Sequence, residues 1–88
     1  MRYILKDKQP VLEPDVTTWD NWFTHNNRVV AATKISEDAI VSTVFIGLYD
    51  TMFETCVFYK DFCDIITRYN TWEEAVSGHE ETVRKLLA

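Results

Sequence analysis

Val41-Ser42-Thr43-Val44-Phe45-Ile46-Gly47-Leu48-Tyr49-Asp50-Thr51-Met52-Phe53-Glu54-Thr55-Cys56-Val57-Phe58-Tyr59 is rich in β-branched and aromatic residues, has one acid, Glu54, among its apolar groups, and leaves only Asp50-Thr51 for a connection. Such side chains favour a pleated backbone, and so short a connection predicts a tight β-hairpin. A two-residue turn at Asp50-Thr51 pairs Leu48 with Phe53, Ile46 with Thr55, Val44 with Val57 and Ser42 with Tyr59 on one face. The opposite face then carries Tyr49 beside Met52, Gly47 beside Glu54, Phe45 beside Cys56 and Thr43 beside Phe58. Both faces are largely apolar, so the hairpin belongs at the centre of the core. Its second face is expected to be another buried surface or a ligand cleft. A shift of one residue exchanges the two faces, so this reading depends on register.

Working outward, residues 2–5 and 9–12 read as a small hairpin turning at Asp7-Lys8, with Pro10 on an edge strand where its missing N–H does least harm. Asp15 is placed to cap a helix over residues 16–25, with Val16, Trp19, Trp22 and Phe23 on its core side. Asn26-Asn27 ends that helix, residues 29–35 form a strand, and Glu37-Asp38 turns into the main hairpin. Beyond it, Lys60-Asp61 turns again into a strand over residues 65–69. Thr71-Trp72-Glu73-Glu74 has the form of a capping box opening a helix. Trp72, Ala75, Val76, Val83, Leu86 and Leu87 make the apolar stripe of that helix, with His79 in its middle. A histidine so placed is at least partly buried and must hydrogen-bond something. The fold class expected is α+β: an antiparallel sheet of four to six strands packed by two amphipathic helices, in a single domain over residues 1–88.

Composition narrows the function. The 88 residues are 47% hydrophobic and 14% aromatic, enough for one small core and too rich for a disordered tail. The net charge of −5 is spread along the chain, and the basic residues form no run longer than two, which argues against direct nucleic-acid binding. There is no charged-then-apolar leader and no apolar run of membrane-spanning length, so the expectation is no membrane and a cytoplasmic address. Cys56 and Cys63 lack partners at zinc-ligand spacing and are read as reduced thiols. No metal and no cofactor are expected.

The order Trp19-x-x-Trp22-Phe23, Arg28-Val29, Val41 to Leu48, Phe53-Glu54-Thr55 and Arg68-Tyr69-x-Thr71-Trp72-Glu73-x-Ala75-x-x-Gly78-His79 resembles a family of small uncharacterised proteins of tailed phages and prophages. The opening Met1-Arg2-Tyr3-Ile4-Leu5 also fits, so the similarity covers almost the whole chain. Family members usually have a longer glycine- or proline-containing loop between the main strands and often an acid where Tyr49 stands. Here the loop is cut to Asp50-Thr51. The resemblance implies a phage setting, hence the host cytoplasm, and a fold, but not a mechanism.

Three functions compete. The first is a non-catalytic interaction protein acting on a host or phage protein, as an inhibitor of host defence or metabolism, or assembling with itself as a homo-oligomer. Its binding residues would come from Phe45, Tyr49, Met52, Glu54, Phe58, Arg68 and His79, the surplus apolar face of the hairpin and the polar groups around it. The second is capture of a nucleotide-like small molecule, with Trp19, Trp22, Phe45 or Tyr69 stacking a ring, Arg28 or Arg68 receiving a phosphate and Glu54 accepting from a donor. The third is a small hydrolase-like enzyme in which Glu54 and His79 meet as an acid/base dyad. No nucleophile elbow or phosphate-binding glycine loop accompanies that pair, so the chain is read as a binding protein and not an enzyme.

Overall fold

The computed structural model describes residues 1–88 and has the α+β architecture expected. The elements are β1 (Tyr3–Lys6), β2 (Gln9–Leu12), α1 (Val16–His25), β3 (Val29–Ser36), β4 (Ala39–Leu48), β5 (Thr51–Tyr59), β6 (Cys63–Tyr69) and α2 (Trp72–Leu87). Strands β3-β4-β5-β6 form an antiparallel meander in that order, and β1-β2 is a separate two-stranded sheet. The β1-β2 turn is at Asp7-Lys8, both with positive φ (50° and 70°), which matches the right-handed twist of the strands it joins. The small hairpin is tied to the tip of the main one by the Arg2–Leu48 bridge and by the Tyr49 N–H, which donates to the Met1 carbonyl at 3.2 Å.

The main hairpin differs from its expected register in two steps. Its turn is Tyr49-Asp50, not Asp50-Thr51, so Leu48 pairs with Thr51. That moves the pairing by two and leaves the faces as expected. Between Leu48 and Phe45, however, β4 holds one residue more than β5, a β-bulge containing Gly47 at φ 75°. The extra residue exchanges the faces below it. Phe45 therefore pairs with Phe53, Val44 with Glu54, Thr43 with Thr55 and Val41 with Val57, replacing the expected pairs. The bulge needs glycine twice over: the backbone is left-handed there, and a Cβ would run into the Tyr3 carbonyl and the Phe23 ring.

One face of the sheet is the core. Val41, Thr43, Phe45, Phe53, Thr55 and Val57 are fully buried on it, beneath α2. The expected capping box starts that helix: the Glu74 N–H donates to Thr71 Oγ1, and the Glu74 carboxylate accepts from the Thr71 N–H. Ala75 and His79 are its buried residues, with Trp72 and Val83 packed beside them, while Leu86 and Leu87 are exposed.

Helix α1 lies on the same sheet face as α2, beyond its N-terminal end: Trp22 and Phe23 of α1 and Trp72 and Ala75 of α2 belong to one core cluster around Phe45 and Phe53. It sits at the end of the meander beside β1, where Trp22 and Phe23 meet Phe45, and Trp19 stacks on Phe23 and donates its indole N–H to the Tyr3 carbonyl at 3.0 Å. Val16, expected on the core side, is exposed. Both helices therefore lie on one sheet face, and no element of the chain covers the other. No helix is long and apolar enough to cross a membrane.

Candidate functional surface

Strand alternation together with the Gly47 bulge decides what the uncovered face displays. Val29, Ala32 and Lys34 from β3, Ile40, Ser42 and Val44 from β4, Glu54, Cys56 and Phe58 from β5, and Cys63, Ile65 and Arg68 from β6 share it by register. Val29, Ile40, Phe58 and Ile65 are each 43–54% exposed, a set of large apolar groups that would normally be under cover. Among them lies one ion pair, Arg68 Nε to Glu54 Oε2 at 3.1 Å. The other oxygen of Glu54 accepts from the Cys56 thiol at 3.3 Å. Burial and that nearby carboxylate push the Cys56 thiol up to about 11, so it stays protonated and behaves as a small hydrophobe.

The core face holds the one buried polar chain. His79 Nδ1 lies 2.8 Å from Thr43 Oγ1 and its Nε2 2.9 Å from Thr33 Oγ1, and Thr43 Oγ1 is 2.6 Å from Thr55 Oγ1. Every buried side-chain nitrogen and oxygen in the molecule has a partner. Burial holds the His79 imidazole below its ordinary 6.5, against a smaller opposing pull from Glu80. A neutral ring with one nitrogen donating and the other accepting, bonded to a wholly buried hydroxyl, fixes α2 on the sheet.

The seven residues nominated from sequence do not form one site. Glu54 and His79 lie on opposite faces of the sheet, so the dyad does not assemble. Phe45 and Met52, expected on the surplus face, are in the core, and Tyr49 is exposed at the hairpin turn. Glu54, Phe58 and Arg68 do come together, on the open face. The proposed ring-stacking residues are also committed elsewhere. Trp22 and Phe45 meet edge to face at 5.8 Å in the core, and the Tyr69 ring fills the space beside Gly78. The Arg28 guanidinium donates to the Phe45 carbonyl at 3.2 Å and lies over Phe23 at 4.6 Å.

Two grooves flank α2. One, of about 330 Å³, runs along β6 and is lined by Tyr59, Ile66 and Tyr69. The other, of about 530 Å³, runs along β3 past Thr33 and His79. Histidine, cysteine and carboxylate side chains nowhere gather in threes as a metal site would need.

Sequence reasoning missed the two threonines that hold His79, Thr33 and Thr43, the Thr55 behind them, and four of the apolar groups on the open face, Val29, Ile40, Val44 and Ile65. The isolated Gly47 in an otherwise unbroken strand was the available signal, because such a glycine marks a bulge. No protein-family model, curated protein or solved structure matches this chain.

Proposed function

We propose that the protein works by binding protein and not by turnover, as a phage-type interaction protein in the host cytoplasm, with the open face of the β3–β6 sheet as its surface of association. One observation carries this reading: four large apolar side chains at 43–54% exposure on a sheet face that no helix covers. An antiparallel sheet with one solvated face ordinarily alternates apolar-in and polar-out; Val29, Ile40, Val44, Phe58 and Ile65 break that alternation on the solvent side. In a phage setting the target is a host or phage protein, and occupying its surface inhibits defence or metabolism. The Glu54–Arg68 pair supplies polar contact within the patch, as interfaces carry a few such groups among apolar ones.

Native mass spectrometry of the protein drawn from expressing cells tests this. A second chain, of any identity, retained by the wild type and lost from Phe58→Asp, supports the reading. A bare monomer whose recovery Phe58→Asp does not alter refutes it.

A further inference from the structure

We infer that the occupant of the open sheet face is a second copy of this chain, packed face to face as a β-sandwich with the two α2 helices outside. The inference rests on the association reading above and names its partner.

Shape comes first. The molecule exposes 5844 Å², against roughly 5,400 Å² for a folded monomer of its mass. Its radius of gyration is 13.6 Å, against about 12 Å for a compact chain of this length. Both excesses describe half of a layered structure: helices on one face of a sheet, with nothing on the other. A twisted sheet is best matched by another of the same twist, and two such faces pack about 10 Å apart with strands near −30°.

Area is sufficient. Four strands about 4.8 Å apart and seven to ten residues long present roughly 19 by 29 Å, so two copies bury about 1,100 Å² together, above the roughly 1,000 Å² that a biological interface needs.

Charge selects the partner. The chain carries −5, so two copies repel over most of their surface. The open face is an exception. Its only acid, Glu54, is closed on Arg68 within the same chain, and Lys34 is its only other charge. A face that is near neutral and apolar meets its own copy with only Lys34, exposed on the edge strand β3, to keep at the rim in water, and displays no charged pattern for a differently charged partner to read.

Sedimentation equilibrium of the purified protein decides the matter. The wild type is expected to be a dimer that dissociates on dilution, and Phe58→Asp is expected to weaken it by at least roughly tenfold. Tyr49→Asp, at the exposed turn and off the face, leaves it unchanged. Should circular dichroism show Phe58→Asp unfolded, Ile65→Glu on the edge strand takes its place. A wild type that is monomeric at every concentration overturns the inference, as does a dimer that both face variants leave intact. If the purified protein is monomeric while a different chain is retained from cells and lost from Phe58→Asp, self-association has failed and the association reading has not.

Discussion

Replacing Thr43 by valine is predicted to be the most damaging near-isosteric change in this protein. The substitution keeps the β-branch and the volume, so strand propensity and packing are preserved and only the hydroxyl is lost. That hydroxyl is the hinge of the buried polar chain, touching both Thr55 Oγ1 at 2.6 Å and His79 Nδ1 at 2.8 Å. Its removal strands two groups at once, the Thr55 hydroxyl at 0% exposure and one nitrogen of His79 at 4%. Each buried group left unpaired costs about 1–3 kcal/mol, so Thr43→Val is expected to cost roughly 2–6 kcal/mol. A domain of this size has only about 4–13 kcal/mol to lose. Thr33→Val strands one nitrogen beside an open groove where water can reach, and is expected to cost about 1 kcal/mol. Converting the whole chain at once, Thr33→Val, Thr43→Val, Thr55→Val and His79→Leu, leaves no polar atom to desolvate and should bring stability back to within about 1 kcal/mol of the wild type. Urea unfolding followed by the fluorescence of Trp19, Trp22 and Trp72 gives these differences as shifts in midpoint at constant slope. A loss below about 0.5 kcal/mol for Thr43→Val, or a quadruple variant as unstable as the summed single changes, would refute the reasoning.

Three further outcomes follow from the same geometry. Because burial lowers the His79 pKa in the folded state, the unfolded chain takes up a proton near 6.5 when the folded one does not. The stability contribution is full above 6.5 and is lost as pH falls through the folded pKa; a His79→Leu chain whose midpoint kept the same slope over that window would contradict it. Gly78→Ala gains about 1 kcal/mol of helix propensity but drives a methyl into the Tyr69 ring, an overpacking cost of about 1–3 kcal/mol. It should therefore destabilise the wild type and stabilise a Tyr69→Ala chain, and a double-mutant cycle without that change of sign disproves the contact. At pH 8, and diluted until the chain is monomeric, the protein should be modified by iodoacetamide at the exposed Cys63 and spared at Cys56, whose thiol is held at about 11, giving one added group by mass spectrometry until the chain is unfolded.

The element order was legible in the chain because each element carries a local signature. Thr71 and Glu74 announce α2, Asp15 announces α1, and the β-branched runs between turn residues announce the strands. What the strands present to each side was not legible. That depends on the bulge at Gly47, which is held open by the Tyr3 carbonyl and the Phe23 ring, groups from elements distant in the chain. One inserted residue sends Glu54 to the open face and Thr43 to the core, and with them the whole division between candidate site and interior. His79 was correctly placed as buried and in need of a partner, but naming its threonine partners required that parity. The aromatic side of α1 was legible as well, since Trp22 and Phe23 do meet the sheet at Phe45; only Val16, at the open start of the helix, falls outside the contact.

The meander β3-β4-β5-β6 has only neighbour-to-neighbour connections, and α2 follows all four strands in the chain. During synthesis the strands can therefore pair as they leave the ribosome, before their helix exists. In that interval α1 can cover only Phe45, and the sheet is otherwise bare on both sides: Phe53, Val41 and Val57 on one, Ile40, Phe58 and Ile65 on the other. Translation through α2 shields only the first set. A chain halted within α2 would be a two-sided adhesive, prone to stacking on its neighbours through either surface, and the full-length protein inherits the milder, one-sided form of that stickiness.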